Sequence, residues 1–252
     1  MQSLSAWFKN LLLDGGQSLS GGRIVTVIGS GGKTSLIWRL TSDFSRAASL
    51  APGLRILVTP TTKMFVPEAK FYDRSFISGE LPPCPAPGVT LAGVFNEASG
   101  KLESFPPEKL KALIHGYDLV LIEGDGSRGR PFKAWAENEP VVPSFTDLTI
   151  GVLPLAPIGK PVSESLVHRL PLFIELTGAK PGEPITPEHI LALITVMFDK
   201  THGKKVLFFN QAEEVGALKT ARELAESLSA ELRSSLRAII AGSVRDDWVT
   251  EL

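Results

Sequence analysis

Cysteine is nearly absent from this chain: Cys84 stands alone among 252 residues, so no internal disulfide can form. It lies in the Pro-rich stretch 81–88, away from any ligand-spaced partner, and a reducing compartment, the cytoplasm, is the expected location. Long apolar runs are missing too. The charge-free stretch 148–159 is too short and too broken by proline to cross a bilayer, which argues against a membrane protein. Residues 1–13 lack the basic start, extended apolar run and small-residue cleavage site of a secretion signal. Nor is there an excess of either charge: 26 Lys and Arg face 27 Asp and Glu, similarly balanced in both halves, which excludes bulk attraction to nucleic acid or an anionic membrane. Any anion site has to be local. The four histidines and the single cysteine show neither zinc-ligand spacing nor a Ser-His-Asp arrangement.

What is present is an ordinary globular composition, 43% apolar and 21% charged, enough to bury a sizeable core. No repeat and no polar linker marks a boundary, so residues 1–252 read as one domain, with 65–105 as a possible insertion of hairpin or edge elements. Residues 4–13 suit a short amphipathic helix closed by Gly15 and Gly16, and 23–28 a β-branched strand. A glycine turn, a helix over 34–47 and a strand over 54–59 then complete a βαβ unit, which implies a parallel sheet. Between Val89 and Glu103 two short runs flank Ala98, Ser99 and Gly100, as in a hairpin at a sheet edge.

Further on, a helix is expected over 107–114 and a strand over 118–122. Another helix over 171–178 begins at Pro171 and stops at Gly178, and Thr186 and Pro187 open one that runs to Met197. A strand follows over 205–209. Leu218, Ala221, Ala225, Leu228 and Leu232 form the stripe of one core-facing helix, with a final strand over 236–241. The fold class expected is α/β: a doubly wound, mostly parallel sheet of P-loop NTPase type with helices on both faces and ligands beyond the carboxyl ends of the strands.

The strongest chemical signal is Gly29, Ser30, Gly31, Gly32, Lys33, Thr34 and Ser35, directly after a strand and opening a helix. Glycines let backbone amides converge on phosphate oxygens and the helix start adds its positive dipole end; Lys33 suits a β- or γ-phosphate and Thr34 suits Mg²⁺. The loop is shorter than G-x-x-x-x-G-K-[ST], because Val27 stands where the first glycine of that pattern belongs. It is similar to the G-x-x-G-K-T turn of Mur-type amide ligases, which bind ATP.

Glu123 and Asp125, delivered by a hydrophobic strand, fit the position from which a carboxylate holds Mg²⁺ directly or through water; the bland alternative is a solvated acidic turn. Arg128, Arg130 and Lys133 follow, either ringing an anion or forming an exposed basic loop. Thr59, Thr61 and Thr62 at the end of the second strand suit γ-phosphate, metal or attacking water, Thr61 and Thr62 ahead of Thr59, although such turns are also common strand ends. Asn210 and Glu213 follow a strand as the purine-reading Asn-Lys-x-Asp element of GTPases does, with an N-cap role for Asn210 equally economical. His168, beside Arg169, is a candidate general base or substrate ligand, or a structural histidine.

Taken together, VIGSGGKTS (27–35), TPTTKM (59–64), LIEGDGSRGRPFKAWAENEPVVP (121–143), His168-Arg169 and Asn210-Gln211 resemble the YqeC-like family, described as selenium-dependent hydroxylase accessory proteins. The resemblance spans most of the chain, and Glu-x-Asp-Gly-Ser-Arg-Gly is its most specific piece. It implies a nucleotide-binding protein, with ATP or GTP and Mg²⁺ as cofactors, connected with maturing selenium-dependent molybdenum hydroxylases. The expected function is NTP hydrolysis or phosphoryl or nucleotidyl transfer, with Lys33, Glu123, Asp125 and Thr61 as the catalytic set and Thr34 and Glu123 on the metal. Thr62, Arg128, Arg130, Lys133 and His168 would hold an anionic second substrate. Two alternatives stay open: a non-catalytic, nucleotide-dependent binding module for a molybdopterin-like cofactor or client enzyme, and a Mur-like ATP-dependent ligase domain.

Overall fold

A computed structural model describes residues 1–13, 19, 22–46, 53–80 and 84–252. The helix-closing Gly15 and Gly16, Ala47 at the end of the expected second helix, and residues 81–83 of the Pro-rich stretch lie outside the described residues. In chain order the elements are α1 (Leu4–Leu13), β1 (Arg23–Gly29), α2 (Lys33–Ser45), β2 (Arg55–Pro60), β3 (Lys63–Phe65), β4 (Arg74–Phe76) and β5 (Gly88–Ala92). Then come β6 (Val94–Asn96), β7 (Lys101–Glu103), α3 (Pro107–Leu113), β8 (Leu119–Glu123), β9 (Phe132–Lys133), β10 (Leu148–Pro154) and β11 (Val167–His168). The chain closes with α4 (Leu170–Thr177), α5 (Pro187–Met197), β12 (Lys204–Asn210), α6 (Ala217–Glu226), α7 (Ala230–Ser235), β13 (Ala238–Ser243) and β14 (Trp248–Glu251).

Among the described residues, nine strands form one sheet in the order β14-β13-β12-β10-β1-β8-β2-β5-β4. Every neighbouring pair is parallel except β13 with β14. The central strands β1, β8 and β10 are mostly apolar and buried because both faces are covered. On one face Val25 and Val27 of β1 share a cluster with Leu4 and Phe8 of α1 and Leu36 and Ile37 of α2. On the other, Leu207 and Phe209 meet α5 and α6, and Leu57, Val120 and Ile122 meet α3. The molecule is therefore an α/β protein with a mostly parallel central sheet and helices on both faces.

Several expectations needed correction. The hairpin of β6 and β7 does form, but it joins β3 in a separate three-stranded sheet, β3-β7-β6, rather than the edge of the main one. Gly93 makes that departure possible, since a Cβ there would sit 2.5 Å from Leu102 Cγ. The stripe from Leu218 to Leu232 is two helices, not one: the Ser229 hydroxyl accepts from the Leu232 amide at 3.2 Å and starts α7 afresh. The strand over 236–241 begins at Ala238 and is not the last, because β14 folds back beside it. Strand β10 is an addition to the expected elements, a fully buried strand whose last residue, Pro154, together with Pro157 beyond it gives the segment a loop-like look.

Candidate functional site

The glycine turn takes its shape from where β1 stops. Gly29, Gly31 and Gly32 have φ values of 96°, 69° and 136°, a region that glycine alone enters freely. A Cβ at Gly31 would strike the Pro154 ring and one at Gly32 the Asn210 amide, so the loop lies flat against the ends of β10 and β12. Its first two amides are spent: Gly29 donates to Asp125 and Ser30 to the Val152 carbonyl. The next amides, those of Gly31, Gly32, Lys33, Thr34 and Ser35, have no acceptor among the described residues, and all these residues line one cleft of about 1310 Å³. Lys33 curls back across the turn, its Nζ 2.5 Å from the Gly29 carbonyl and 3.2 Å from Asp125.

Parallel pairing sets Glu123 beside Val27, and two residues later Asp125 comes level with Gly29. Gly124 between them is required, since a Cβ there would lie 2.7 Å from Thr26 Cγ2 and 2.8 Å from Ile28 Cγ2. Glu123 accepts from the Thr34 hydroxyl at 2.8 Å. Burial raises its pKa, and the Asp125 charge adds to the rise while Lys33 opposes it. Burial would raise Asp125 as well, but the Lys33 and Lys133 ammoniums, the Gly29 amide and the Trp135 indole, 2.6 Å away, hold its carboxyl below the usual range.

Beyond Asp125 the chain pairs β9 with β11, and this turns Lys133 inward. Lys133 is fully buried and bonds the Gly126 carbonyl (2.9 Å), Glu139 (2.7 Å) and Asp125 (3.3 Å), so it braces the loop and does not reach the cleft. Burial works against the Glu139 carboxylate, yet the two Arg169 bonds (2.6 and 2.8 Å) and Lys133 hold its pKa down to about 2. His168 lines the cleft, 8% exposed, and its imidazole has no hydrogen-bond partner among the described residues. Burial first, then Arg169, Lys133 and Arg128, lowers its pKa to about 4 and leaves it neutral. Arg128, at φ 52°, has no partner, and Arg130 donates to the Val167 carbonyl at 3.2 Å; both line the cleft.

The remaining residues expected at the site divide. Thr62 lines the cleft, and among the described residues its buried hydroxyl has no partner, nor do the buried Thr59 and Ser30 hydroxyls. Thr61 bonds inward, from its amide to the Glu123 carbonyl (3.0 Å) and from its hydroxyl to the Val141 carbonyl (2.6 Å). Asn210 donates to the Gly31 carbonyl (2.8 Å) and accepts from the Val244 amide (3.0 Å), while Glu213 accepts from the Ser243 hydroxyl near Arg245. Both thus spend their polar atoms within the protein. Sequence reasoning missed Trp135 and Glu139, although they stand in the segment it singled out. It also gave no role to Phe65, Lys101 and Glu103, which the small sheet brings to the cleft wall beside Lys63.

Thr34 and Glu123 offer a hydroxyl and a carboxylate at the cleft beside open amides. This is a hard-oxygen pair of the kind Mg²⁺ takes, with phosphate and water completing its shell. No cluster of three or more His, Cys, Asp or Glu fit to hold a metal occurs among the described residues. None of the helices described is long and apolar enough to cross a membrane.

No solved structure matches the chain. The profile of a family described as YqeC protein matches residues 25–171, from β1 through β11. The "Uncharacterized protein YqeC" of Escherichia coli K12 is 33% identical over 176 residues, which cover 68% of this chain and 67% of that protein. The matched stretch holds the glycine turn, both carboxylates and the loop that Lys133 braces, whereas Asn210 and Glu213 fall outside the profile. With more than half its length matched, the chain belongs to the YqeC family.

Proposed function

We propose that the cleft binds the polyphosphate of a nucleoside triphosphate, ATP or GTP, together with Mg²⁺, and that the protein acts as a nucleotide-dependent accessory factor. The observation that carries this reading is the run of open main-chain amides over residues 31–35, with the Lys33 ammonium behind it and the Thr34–Glu123 pair beside it. Sheet order supports it as well: β8, which carries the carboxylates, lies between β1 and β2, so three strand ends converge under the loop as in a P-loop NTPase core.

In this reading the amides take the phosphate oxygens, and the anion offers Lys33 a stronger partner than the carbonyl it now bonds. Thr34 and Glu123 hold Mg²⁺, which supplies charge neutralisation at the phosphates. Arg128, Arg130, Thr62 and His168 face the cleft and would hold an anionic second substrate, while Lys133 keeps their loop in place. NTP hydrolysis or phosphoryl or nucleotidyl transfer is the reaction class. The place in maturing selenium-dependent molybdenum hydroxylases is drawn from the resemblance to the family's described role.

A second reading, a binding module without turnover, is favoured by one observation. Asp125 and Thr61, two of the four residues expected to be catalytic, both spend their polar atoms inside the protein. Calorimetric titration with ATP, GTP and CTP, with and without Mg²⁺, tests the site. Binding of at least one triphosphate that strengthens with Mg²⁺ and weakens about ten- to a hundredfold in Lys33→Ala is expected. Failure of all three to bind removes both readings, and phosphate release at saturation separates them.

A further inference from the structure

Two walls of the cleft beyond the phosphate loop carry groups that face it without serving the triphosphate. On the first, the pairings Lys63 with Glu103 and Phe65 with Lys101 set these four residues on one face of the small sheet, while Met64 and Leu102 are buried on the other. Phe65 is 65% exposed, a large ring among three charged side chains on this face. Lys101 Nζ lies 4.4 Å from the ring centroid, and Lys63 is tied to Glu103 at 2.6 Å. The ring stands on a defined side of the loop. Strand β3 starts beside the end of β8, since the Thr61 amide bonds the Glu123 carbonyl at 3.0 Å and a Cβ at Gly126 would lie 3.7 Å from the Lys63 carbonyl, whereas Asn210 and Gln211 bond the Gly31 carbonyl from the β12 side. Phe65 therefore lines the cleft on the Glu123 side of the loop, where a second substrate would meet the triphosphate.

A second part of the lining is cationic and short of acceptors. Among the described residues Arg128 has no partner, the Arg130 guanidinium makes one bond to a carbonyl, and His168 is more than nine-tenths buried with no hydrogen bond from its imidazole although it lines the cleft. An exposed aromatic face in the same cleft as unfilled donors is the pattern for a ligand with a flat ring at one end and an anionic group at the other.

We infer that the second ligand is a planar aromatic or heteroaromatic anion whose ring stacks on Phe65 and whose phosphate or carboxylate is met by Arg128, Arg130 and His168. This deepens the function proposed above and rests on the loop taking a triphosphate. The ring of the second ligand, rather than the nucleobase, is assigned to Phe65 because the phenyl lies on the Glu123 side of the loop. Stacking on an exposed aromatic adds about ten- to a hundredfold in affinity.

Two probes separate ring from charge: 4-methylumbelliferyl phosphate, a fluorescent ring carrying one phosphate, and glycerol 1-phosphate, the same anion without a ring. Both are titrated into wild type, Phe65→Ala, Phe65→Trp and Arg128→Ala with Mg²⁺ and tripolyphosphate present. Saturable binding of the fluorescent probe is expected, weakened about tenfold or more by Phe65→Ala, kept by Phe65→Trp and weakened by Arg128→Ala. Glycerol 1-phosphate should respond to Arg128→Ala and be indifferent to Phe65. Tripolyphosphate binding, measured alone beforehand, reports on the loop: its absence is the failure of the triphosphate reading and takes this inference with it. Intact tripolyphosphate binding with no saturable probe binding, or with equal probe affinity in wild type and Phe65→Ala, overturns the inference alone.

Discussion

Asp125 is the residue on which the site's electrostatics turn. Fully buried, it accepts from the Gly29 amide and the Trp135 indole and faces two ammoniums, one holding the glycine turn and the other bracing the arginine loop. A carboxylate this enclosed persists only because its partners exceed the cost of taking it from water. Asp125→Asn removes the charge and leaves Lys33 and Lys133 short of a counterion, so a loss of about 3–5 kcal/mol is expected in denaturant unfolding. A loss within 1 kcal/mol would show that the ammoniums find other acceptors and that the brace is not built as described. Residue types at this scale were legible in the sequence: Lys33, Thr34, Glu123 and Asp125 lie in two short segments whose neighbours name their chemistry. Lys133 was legible as a cation but not as a buried one, because its orientation depends on β11, contributed from more than thirty residues away.

At the scale of elements, the site is made by strands that end together. Strand β8 reaches Glu123 beside Val27, and the chain clears the loop only through Gly124, whose missing side chain lets Thr26 and Ile28 lie against it. Gly124→Ala must push back β-branched side chains within a packed sheet. It should cost about 1–3 kcal/mol in unfolding free energy, and weaken triphosphate binding by shifting Glu123 from Thr34. Unchanged stability would mean that β8 ends more loosely than the register shows. The βαβ unit was readable because its strand, turn and helix are contiguous. Strand β10 was not, since Pro154 at its end and Pro157 just beyond imitate a loop, and neither was the break between α6 and α7, where a serine cap outweighs a continuous apolar stripe.

Across the whole molecule, one chain of charges links the two halves of the cleft, from Lys33 through Asp125, Lys133 and Glu139 to Arg169. Its pH response has a definite sign. The Glu139 pKa falls from 4.5 to about 2 on folding, so its stabilisation is complete above 4.5 and is lost as the pH drops toward 2. The His168 pKa falls from 6.5 to about 4, so between those values the unfolded chain binds the proton more readily and stability declines as the pH falls. Wild type should therefore lose stability in two stretches, the upper between 6.5 and 4, and His168→Gln should flatten the upper one. An unaltered profile in that variant contradicts the cationic setting assigned to His168. At this scale the sequence revealed the alternation of strand and helix but not the small sheet, whose three strands pair across forty residues without a shared motif. Nor did it reveal that Asn210 is a fastening of the loop, a role that exists only once β12 has been laid beside β10.

The account rests on open amides over residues 31–35 receiving a polyanion. The most direct test is nitrogen–proton NMR of the labelled protein titrated with Mg²⁺ and ATP or GTP, together with amide exchange. The resonances of Gly31, Gly32, Lys33, Thr34 and Ser35 should shift together at the same midpoint and become protected from exchange, with those of Gly29 and Ser30, already hydrogen-bonded, changing least. Binding that leaves those five amides unmoved and unprotected, or no binding of either triphosphate, contradicts it.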